Sequence, residues 1–293
     1  MSGSAREFDL CERGSCTIGR MTPAPSALPA LHRELLDVAS LVARSAGTLL
    51  LDRLAGARTT TAKSSPTDMV TEVDQAAEQL IVGLLRRRRP ADSVLGEEGA
   101  SVTGTNDLRW VIDPIDGTTN YLYRSAGFAV SIAVEDAAGS VVGVVFDPQR
   151  DELFAASRGG GATRNGAPIV CSRTSDLAQT LLATGFSYDA ERRRRQAQVV
   201  AAVIGSIRDI RRSGSAAVDW CSLACGRVDA LVESGQQVWD YAAGALIAAE
   251  AGAIVGDLRG GPPSPEMAYG AAPAIFEPLA DLLRSANAGA GAP

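Results

Sequence analysis

The stretch of sequence that decides the fold is Trp110-Val111-Ile112-Asp113-Pro114-Ile115-Asp116-Gly117-Thr118-Thr119-Asn120. Its apolar first half predicts a strand that ends at Asp113, where Pro114 forces the chain to turn. Asp116 follows three residues later, so two carboxylates are directed at one point. Gly117 and Thr118 then offer backbone N–H groups at a bend or helix start, an arrangement that holds a phosphate oxygen. Acids beside an anion site require a cation between them, and Mg²⁺, which prefers oxygen ligands, is the natural one.

Two more acidic positions are suited to complete such a centre. Glu97 lies in the glycine-flanked turn 96–99, directly after the short apolar run 93–95. Asp240 follows Trp239 at the start of a helical pattern, where a lone acid is ordinarily interpreted as a helix cap. Together with Asp113 and Asp116, these acids predict a metal centre built from oxygen ligands.

The histidine content limits the chemistry further. The chain has 293 residues and one histidine, His32. Ser-His-Asp triads, Cys-His pairs, zinc sites with several imidazole ligands and 2-His-1-carboxylate iron sites all need well-placed imidazoles. His32 begins an amphipathic helical pattern, and we expect it at the solvated surface. Carboxylates, hydroxyls, backbone amides or hard metals are therefore expected to carry the chemistry.

Composition excludes several protein classes. Hydrophobic residues make up 46% and charged residues 21%, which indicates a globular chain and excludes disorder as a whole. Lys and Arg total 28 against 34 Asp and Glu, a net charge of −6 that argues against general nucleic-acid or membrane-surface binding. Five cysteines without a CxxC pair fit a reduced protein. With no apolar run that could span a bilayer and no signal-peptide region, the expected compartment is the cytoplasm.

The order of patterns along the chain predicts its organisation. Residues 1–27 predict a disordered N-terminal extension, because Ser, Gly, Arg and Pro dominate there. Residues 28–293 predict one domain, with an α+β half at 28–170 and an α/β half at 171–293. Helical patterns come first, β-rich runs after Trp110 suggest an antiparallel meander, and helix then alternates with strand. This order favours a layered α/β (α+β) fold of stacked helices and sheets.

Two runs of four arginines have different surroundings. Run 86–89 closes a helix predicted to start at Thr71, and cations at a helix end complement its dipole, so we interpret the run as structural. Run 192–195 opens the first of the later helices, expected near residues 197–207, where positive charge is unfavourable to the helix dipole. We interpret it as a solvated loop, with contact to an anionic substrate or a macromolecular partner as the alternative.

Taken together, these motifs resemble the inositol monophosphatase family, within the superfamily of magnesium-dependent, lithium-sensitive phosphatases. The resemblance runs from about Leu31 to the C-terminus. It rests on five ordered motifs: Lys63-Ser64-Ser65-Pro66-Thr67-Asp68 with Val70-Thr71 and Asp74, Gly96-Glu97-Glu98, the stretch quoted above, Gly214-Ser215-Ala216-Ala217, and Trp239-Asp240-Tyr241-Ala242-Ala243-Gly244 leading to Glu250-Ala251-Gly252. It implies an αβαβα sandwich with an antiparallel N-terminal sheet and a mostly parallel C-terminal half, and a homodimer.

The resemblance also implies a metal ligand set. Glu97, Asp113 and the carbonyl of Ile115 match ligands of a first Mg²⁺, which activates the attacking water. Asp113, Asp116 and Asp240 match ligands of a second, which binds the phosphate and stabilises the leaving oxygen.

Further roles are implied for the residues around the metals. Thr118, held in place by Asp74, would contact the attacking water, and the amides of Gly117 and Thr118 would hold the phosphate. Lys63 lies in a loop that contributes to the metal site. The remaining matches are residues that contact sugar or inositol hydroxyls: Gly214, Ser215, Ala216 and Glu233.

The implied activity is Mg²⁺-dependent hydrolysis of myo-inositol 1-phosphate, a small phosphorylated polyol, by in-line attack of water. Histidinol phosphate, fructose 1,6-bisphosphate and 3′-phosphoadenosine phosphates are the alternative substrates that the family implies. A regulatory protein that binds the transcription machinery is an alternative of another class, motivated by run 192–195.

The chain departs from the family pattern at residues 121–127, which lack the usual Pro, and at residues 185–188, where bacterial relatives often have Pro. Both departures are expected to affect the substrate side only.

Overall fold

The structure is a computed structural model that describes residues 28–56, 60–62 and 69–289. The predicted N-terminal extension, 1–27, and Lys63 lie outside the described residues. The described helices are α1 Ala30–Arg53, α2 Glu72–Arg88, α3 Thr118–Tyr123, α4 Ala190–Val203, α5 Ala216–Ala224, α6 Val238–Glu250 and α7 Phe276–Gly289. No described helix has the length and apolar character needed to cross a bilayer.

The strands form three sheets. A two-stranded antiparallel sheet joins β1 Thr60–Ala62 and β2 Met69–Thr71. The next eight strands are β3 Ser93–Gly96, β4 Ser101–Val102, β5 Arg109–Asp116, β6 Ala129–Asp136, β7 Gly139–Asp147, β8 Glu152–Ser157, β9 Ala162–Arg164 and β10 Ala167–Pro168. They form one sheet in the order β10-β9-β8-β7-β6-β5-β3-β4. The last five are β11 Leu181–Thr184, β12 Asp209–Arg211, β13 Ala230–Glu233, β14 Ile254–Gly256 and β15 Ala268–Ala271, in the order β12-β11-β13-β15-β14.

Strand direction differs between the two large sheets. The eight-stranded sheet is antiparallel apart from the parallel pair β3–β5. In the five-stranded sheet β11 runs parallel to β12 and β13, whereas β15 runs antiparallel to β13 and β14. This sheet is therefore mixed but mostly parallel, as expected, because among its five described strands β15 alone runs against the other four. Strand β15 is reversed relative to β14 because the two strands follow each other without the helical crossover that parallel neighbours require.

Five layers alternate between helix and sheet, as an αβαβα sandwich does. Ile81 of α2 packs with Ile112 of β5 on the outer face of the eight-stranded sheet, where α1 also lies. Val111 faces the opposite way, into a core with Trp220 of α5 and with α6. This middle helix layer also contacts the five-stranded sheet, whose far face is covered by α4 and α7 through residues such as Leu279.

Helix α6 lies unusually close to the eight-stranded sheet. A Cβ on Gly143 of β7 would lie 2.6 Å from the carbonyl oxygen of Ala243, so only glycine permits this approach. Ser131 of β6 donates a hydrogen bond from its hydroxyl to the carbonyl of Trp239, at 3.0 Å. These contacts fix the first turn of α6 above the middle of the sheet.

The structure confirms the interpretation of one arginine run in part and corrects that of the other. The structural interpretation of run 86–89 is confirmed for Arg89, whose guanidinium pairs with Asp92 at 2.8 Å and with Glu34 at 2.9 Å. The expected loop at 192–195 is wrong, because α4 begins at Ala190, seven residues before the expected start. Asp189 stabilises this start by accepting the N–H of Arg192 at 2.7 Å.

His32 also differs from the expectation. It is half-buried on α1 rather than solvated, and its Nδ1 is buried without a hydrogen-bond partner among the described residues.

Candidate active site

Strand β5 presents two carboxylates on one face of the eight-stranded sheet. Side chains alternate between faces along a regular strand, so Asp113 and Asp116 would point in opposite directions. The pairing with β6 shifts between them, because Asp113 lies opposite Ser131 and Asp116 lies opposite Ala129. This one-residue bulge places both carboxylates on the face that meets α5 and α6. Pro114 lies within the bulge, so the predicted strand end at Asp113 is wrong and β5 continues to Asp116.

The carboxylates of Asp113, Asp116 and Asp240 form a tight group, with oxygens within 4.8 Å of one another. Asp113 is 1% and Asp116 8% exposed. Burial raises the pKa of Asp113 and Asp240 well above the usual value, and the neighbouring carboxylates raise it further. Burial raises the pKa of Asp116 to about 6, although its hydrogen bonds oppose this. Acids so close together require shared protons or a bound cation.

Asp240 is the third residue of α6. Its Oδ2 accepts the backbone N–H of Gln237 at 2.7 Å, so the helix-cap interpretation of this residue is confirmed. The carboxylate nevertheless reaches the acidic group, because α6 starts directly above Asp113 and Asp116. One carboxylate thus both stabilises the helix start and belongs to the group.

Glu97 is brought to the same edge by the parallel pairing of β3 with β5. Gly96 lies opposite Ile112, so the residues that follow them, Glu97 and Asp113, are neighbours. The N–H of Glu97 donates to the carbonyl of Ile112 at 3.2 Å. After burial, the charge of Glu97 is the largest cause of the raised pKa of Asp113.

Thr118 begins α3 beside the acidic group. Its hydroxyl lies 3.0 Å from Oδ1 of Asp74 and 3.1 Å from the carbonyl oxygen of Ile115, and it can donate to either. Asp74 is 1% exposed in the first turn of α2, which makes it a fixed support. Gly117 has φ +97°, and a Cβ there would lie 2.8 Å from the carbonyl oxygen of Gly127. Only glycine fits this position.

The turn that leads into α5 contacts Asp116. The hydroxyl of Ser215 and the N–H of Ala217 both donate to Oδ2 of Asp116 at 2.6 Å. Gly214, Ser215 and Ala216, predicted as substrate contacts, lie in the wall of the cavity next to the acidic group. Ser215 therefore also fixes the orientation of Asp116.

The acidic group opens into a cavity of about 430 Å³, within the size range of small-molecule sites. Glu233 at the end of β13 lies in its wall, where Nε2 of Gln236 donates to Oε2 at 3.0 Å. Burial raises the pKa of Glu233 to about 7. Gly185 faces this carboxylate so closely that a Cβ would overlap it.

Three charged residues of the cavity wall, Asp189, Arg212 and Asp219, were not predicted from the sequence. Asp219 is 4% exposed in the first turn of α5, and burial raises its pKa to about 8. The charge of Arg212 acts on Glu233, whose pKa it lowers. A usable signal was the spacing of four between Ser215 and Asp219, which places both on one side of a helix.

The two departures from the family pattern lie in different places. Residues 185–188 line the cavity. Residues 121–127, all of them described, lie outside the cavity wall. The changed loop and changed substrate entry expected at residues 121–127 therefore stay predictions.

Comparison with known proteins identifies the family of this chain. The model of the inositol monophosphatase family matches residues 31–288. The Escherichia coli (strain K12) protein named Nus factor SuhB is 43% identical over 230 residues, which are 78% of this chain and 86% of that protein. The Mycobacterium tuberculosis protein named Inositol-1-monophosphatase SuhB is 48% identical over 203 residues, 66% of this chain and 70% of that protein.

A solved structure shows the same fold. The extragenic suppressor protein suhB from Bartonella henselae is 32% identical with a TM-score of 0.81, and the match covers 85% of this chain and 98% of that one. The layered fold, the family model and these relatives lead to one conclusion. The chain belongs to the inositol monophosphatase family.

Proposed function

We propose that this protein is a Mg²⁺-dependent phosphomonoesterase that hydrolyses myo-inositol 1-phosphate or a similar small phosphorylated polyol. The observation that carries the proposal is the group Asp113, Asp116 and Asp240, whose oxygens lie within 4.8 Å of one another beside a cavity of about 430 Å³. The Mycobacterium tuberculosis relative named Inositol-1-monophosphatase SuhB supports it.

The donor set fits Mg²⁺, because every candidate ligand is an oxygen: the carboxylates of Glu97, Asp113, Asp116 and Asp240 and the carbonyl of Ile115. When bound, Mg²⁺ supplies positive charge to the phosphate and lowers the pKa of a bound water. No imidazole base is needed for such hydrolysis, and His32 lies outside the cavity wall.

The protein's own groups position the reactants. Thr118, fixed between Asp74 and the carbonyl of Ile115, is placed to accept a hydrogen bond from the attacking water. The N–H groups of Gly117 and Thr118 would hold phosphate oxygens. Such positioning, together with charge neutralisation, is the main requirement of phosphoryl transfer.

The opposite wall of the cavity favours a substrate with hydroxyl groups. The carboxylate of Glu233 is held by Gln236 and faces the cavity, where it can accept hydrogen bonds from a polyol. Ser215 and the backbone around Gly214 line the same side. Histidinol phosphate and fructose 1,6-bisphosphate are the alternative substrates.

Phosphate release from a panel of these phosphomonoesters, with and without Mg²⁺, tests the proposal. We expect Mg²⁺-dependent release that Asp113→Asn abolishes, with myo-inositol 1-phosphate giving the highest kcat/KM. Absence of release from every compound, equal to that of Asp113→Asn, would contradict the proposed activity.

A second candidate function is regulatory binding to the transcription machinery. It is favoured by the printed name of the Escherichia coli relative, Nus factor SuhB, and by the exposed first turns of α4. If this function operates, the immobilised wild type captures a protein of the transcription machinery from cell extract. The variant in which Arg194 and Arg195 are replaced by Gln should lose this capture and keep phosphate hydrolysis. Equal capture by the wild type and the variant would contradict a role for these arginines.

The homodimer implied by the family resemblance is also a proposal. Light scattering coupled to size exclusion tests it, because a dimer has twice the chain mass of 30.3 kDa. A mass equal to that of one chain would contradict it.

A further inference from the structure

Glu78 of α2 carries a buried carboxylate, 6% exposed, that accepts hydrogen bonds from two backbone N–H groups. Its Oε2 accepts the N–H of Glu98 at 2.8 Å, and its Oε1 accepts the N–H of Ala100 at 2.9 Å. Gly96 lies so close that a Cβ there would overlap the carboxylate. A buried carboxylate that accepts two backbone N–H groups forms charge-assisted bonds, which are stronger than neutral ones.

These bonds hold the turn 96–100, which carries Glu97. The turn is closed by the N–H of Gly96, which donates to the carbonyl of Ala100 at 2.8 Å. On its other side, the N–H of Glu97 donates to the carbonyl of Ile112 at 3.2 Å. The backbone of Glu97 is therefore fixed between β5 and α2, and the contact with α2 is made by the Glu78 side chain.

Helix α2 supports the site a second time through Asp74. Asp74 and Glu78 are four residues apart and lie on the same side of the helix. Asp74 accepts the hydroxyl of Thr118, while Glu78 holds the turn of Glu97. The two residues that α2 positions thus come from different segments of the chain.

We propose that Glu78 is a positioning residue that fixes Glu97 for metal binding. The inference rests on the metal-dependent function proposed above. A glutamine at position 78 keeps the shape of the side chain but offers one acceptor oxygen and an NH₂ group. The NH₂ group would face one of the two N–H donors, so the turn would lose a hydrogen bond and Glu97 would lose its fixed backbone.

Glu250 provides a matched control. This glutamate of α6 also accepts two backbone N–H groups of a glycine turn, from Gly159 at 2.7 Å and Gly161 at 2.8 Å. No residue of the turn 159–161 lines the cavity. Glu250→Gln therefore removes the same kind of contact at a distance from the acidic group.

The test measures Mg²⁺ affinity by titration calorimetry for the wild type, Glu78→Gln and Glu250→Gln, together with kinetics at increasing Mg²⁺. We expect Glu78→Gln to weaken Mg²⁺ binding by about tenfold or more, the usual effect of losing a residue that orients a ligand. High Mg²⁺ should restore kcat with an unchanged KM for the substrate. Glu250→Gln should match the wild type in Mg²⁺ affinity.

Wild-type Mg²⁺ affinity in a folded Glu78→Gln variant would overturn the inference and leave the proposed function intact. Absence of both Mg²⁺ binding and hydrolysis in the wild type would instead overturn the proposed function, and the role of Glu78 with it. Should Glu78→Gln fail to fold, Glu78→Asp is measured in the same way, since it keeps the charge but withdraws it by one methylene. An unchanged Mg²⁺ affinity in that variant also overturns the inference.

Discussion

Asp240 has two roles that one substitution can separate. Asp240→Asn keeps an oxygen that can accept the N–H of Gln237, so the start of α6 is retained, but it removes one charge from the acidic group. We expect kcat/KM for phosphate release to fall by more than about a hundredfold, because in the proposed function Asp240 is a metal ligand, and a ligand contributes more than the residues that orient it. The melting temperature in EDTA at pH 6, measured alongside, should change little, because the raised pKa of Asp240 keeps this carboxyl largely neutral there.

His32→Ala is the control for this substitution, since His32 lies on α1 and outside the cavity wall. It should leave kcat/KM unchanged. Activity of Asp240→Asn within tenfold of the wild type would contradict the assigned role of Asp240.

Gly185 offers a second prediction at the scale of one residue. A Cβ at this position overlaps the carboxylate of Glu233, so Gly185→Ala should displace Glu233 and leave the acidic group in place. We expect a KM raised severalfold with kcat largely retained, because substrate hydroxyls lose a partner. Gly205→Ala is the matched control, since a Cβ there meets nothing within 4 Å. A lowered kcat with unchanged KM would argue against this placement of Glu233.

The acids of the site could be chosen from the sequence because each follows a strand or begins a helix, where side chains project from an edge. Arg212 and Asp219 could not be chosen in this way. Asp219 resembles an ordinary first-turn acid of α5, and its burial depends on how α5 packs against β13. The roles of the chosen residues in catalysis stay predictions.

At the scale of the element, β5 shows what a local pattern leaves open. Pro114 suggested a turn, because proline lacks the N–H that a strand needs. Proline is tolerated at a bulge, however, and the bulge depends on the register with β6, which lies more than ten residues away. The same applies to α4, whose start is set by the Asp189 cap rather than by apolar periodicity.

Helix α4 also braces the cavity. Nη1 of Arg193 donates to the carbonyls of Ser187 at 2.8 Å and Tyr188 at 3.2 Å, and both residues line the cavity. Arg193→Ala should loosen this wall and raise KM severalfold, since each exposed hydrogen bond contributes about 1 kcal/mol. Arg194→Ala, on the same helix and also exposed, should leave KM unchanged. A wild-type KM in Arg193→Ala as well as in Arg194→Ala would show that α4 does not support the cavity wall.

At the scale of the whole molecule, the layered order followed from the sequence, and the αβαβα sandwich is confirmed. Apolar periodicity distinguishes helices from strands, and layers follow because each element must bury one face. The reversed direction of β15 was not accessible in this way, since the chain between β14 and β15 has no pattern that fixes which strand it returns to. Sheet direction there is a property of long-range pairing.

The concentration of buried acids makes the stability of the whole molecule depend on pH and metal. Burial raises the pKa of Asp116 to about 6, of Glu233 to about 7 and of Asp219 to about 8, and it raises the pKa of Asp113 and Asp240 as well. The unfolded chain has ordinary values near 4. Between about pH 4 and pH 8 the folded state therefore binds more protons than the unfolded state, and stability falls as pH rises.

In EDTA we thus expect a lower melting temperature at pH 8 than at pH 6. Added Mg²⁺ should raise the melting temperature at both values and more at pH 8, because the carboxylates must lose their protons before they bind a cation. Asp240→Asn, with one acid fewer, should show a smaller pH dependence in EDTA. A melting temperature in EDTA that rises from pH 6 to pH 8 would mean that these carboxylates are stabilised as anions by the protein itself, and the case for a cation among them would fail.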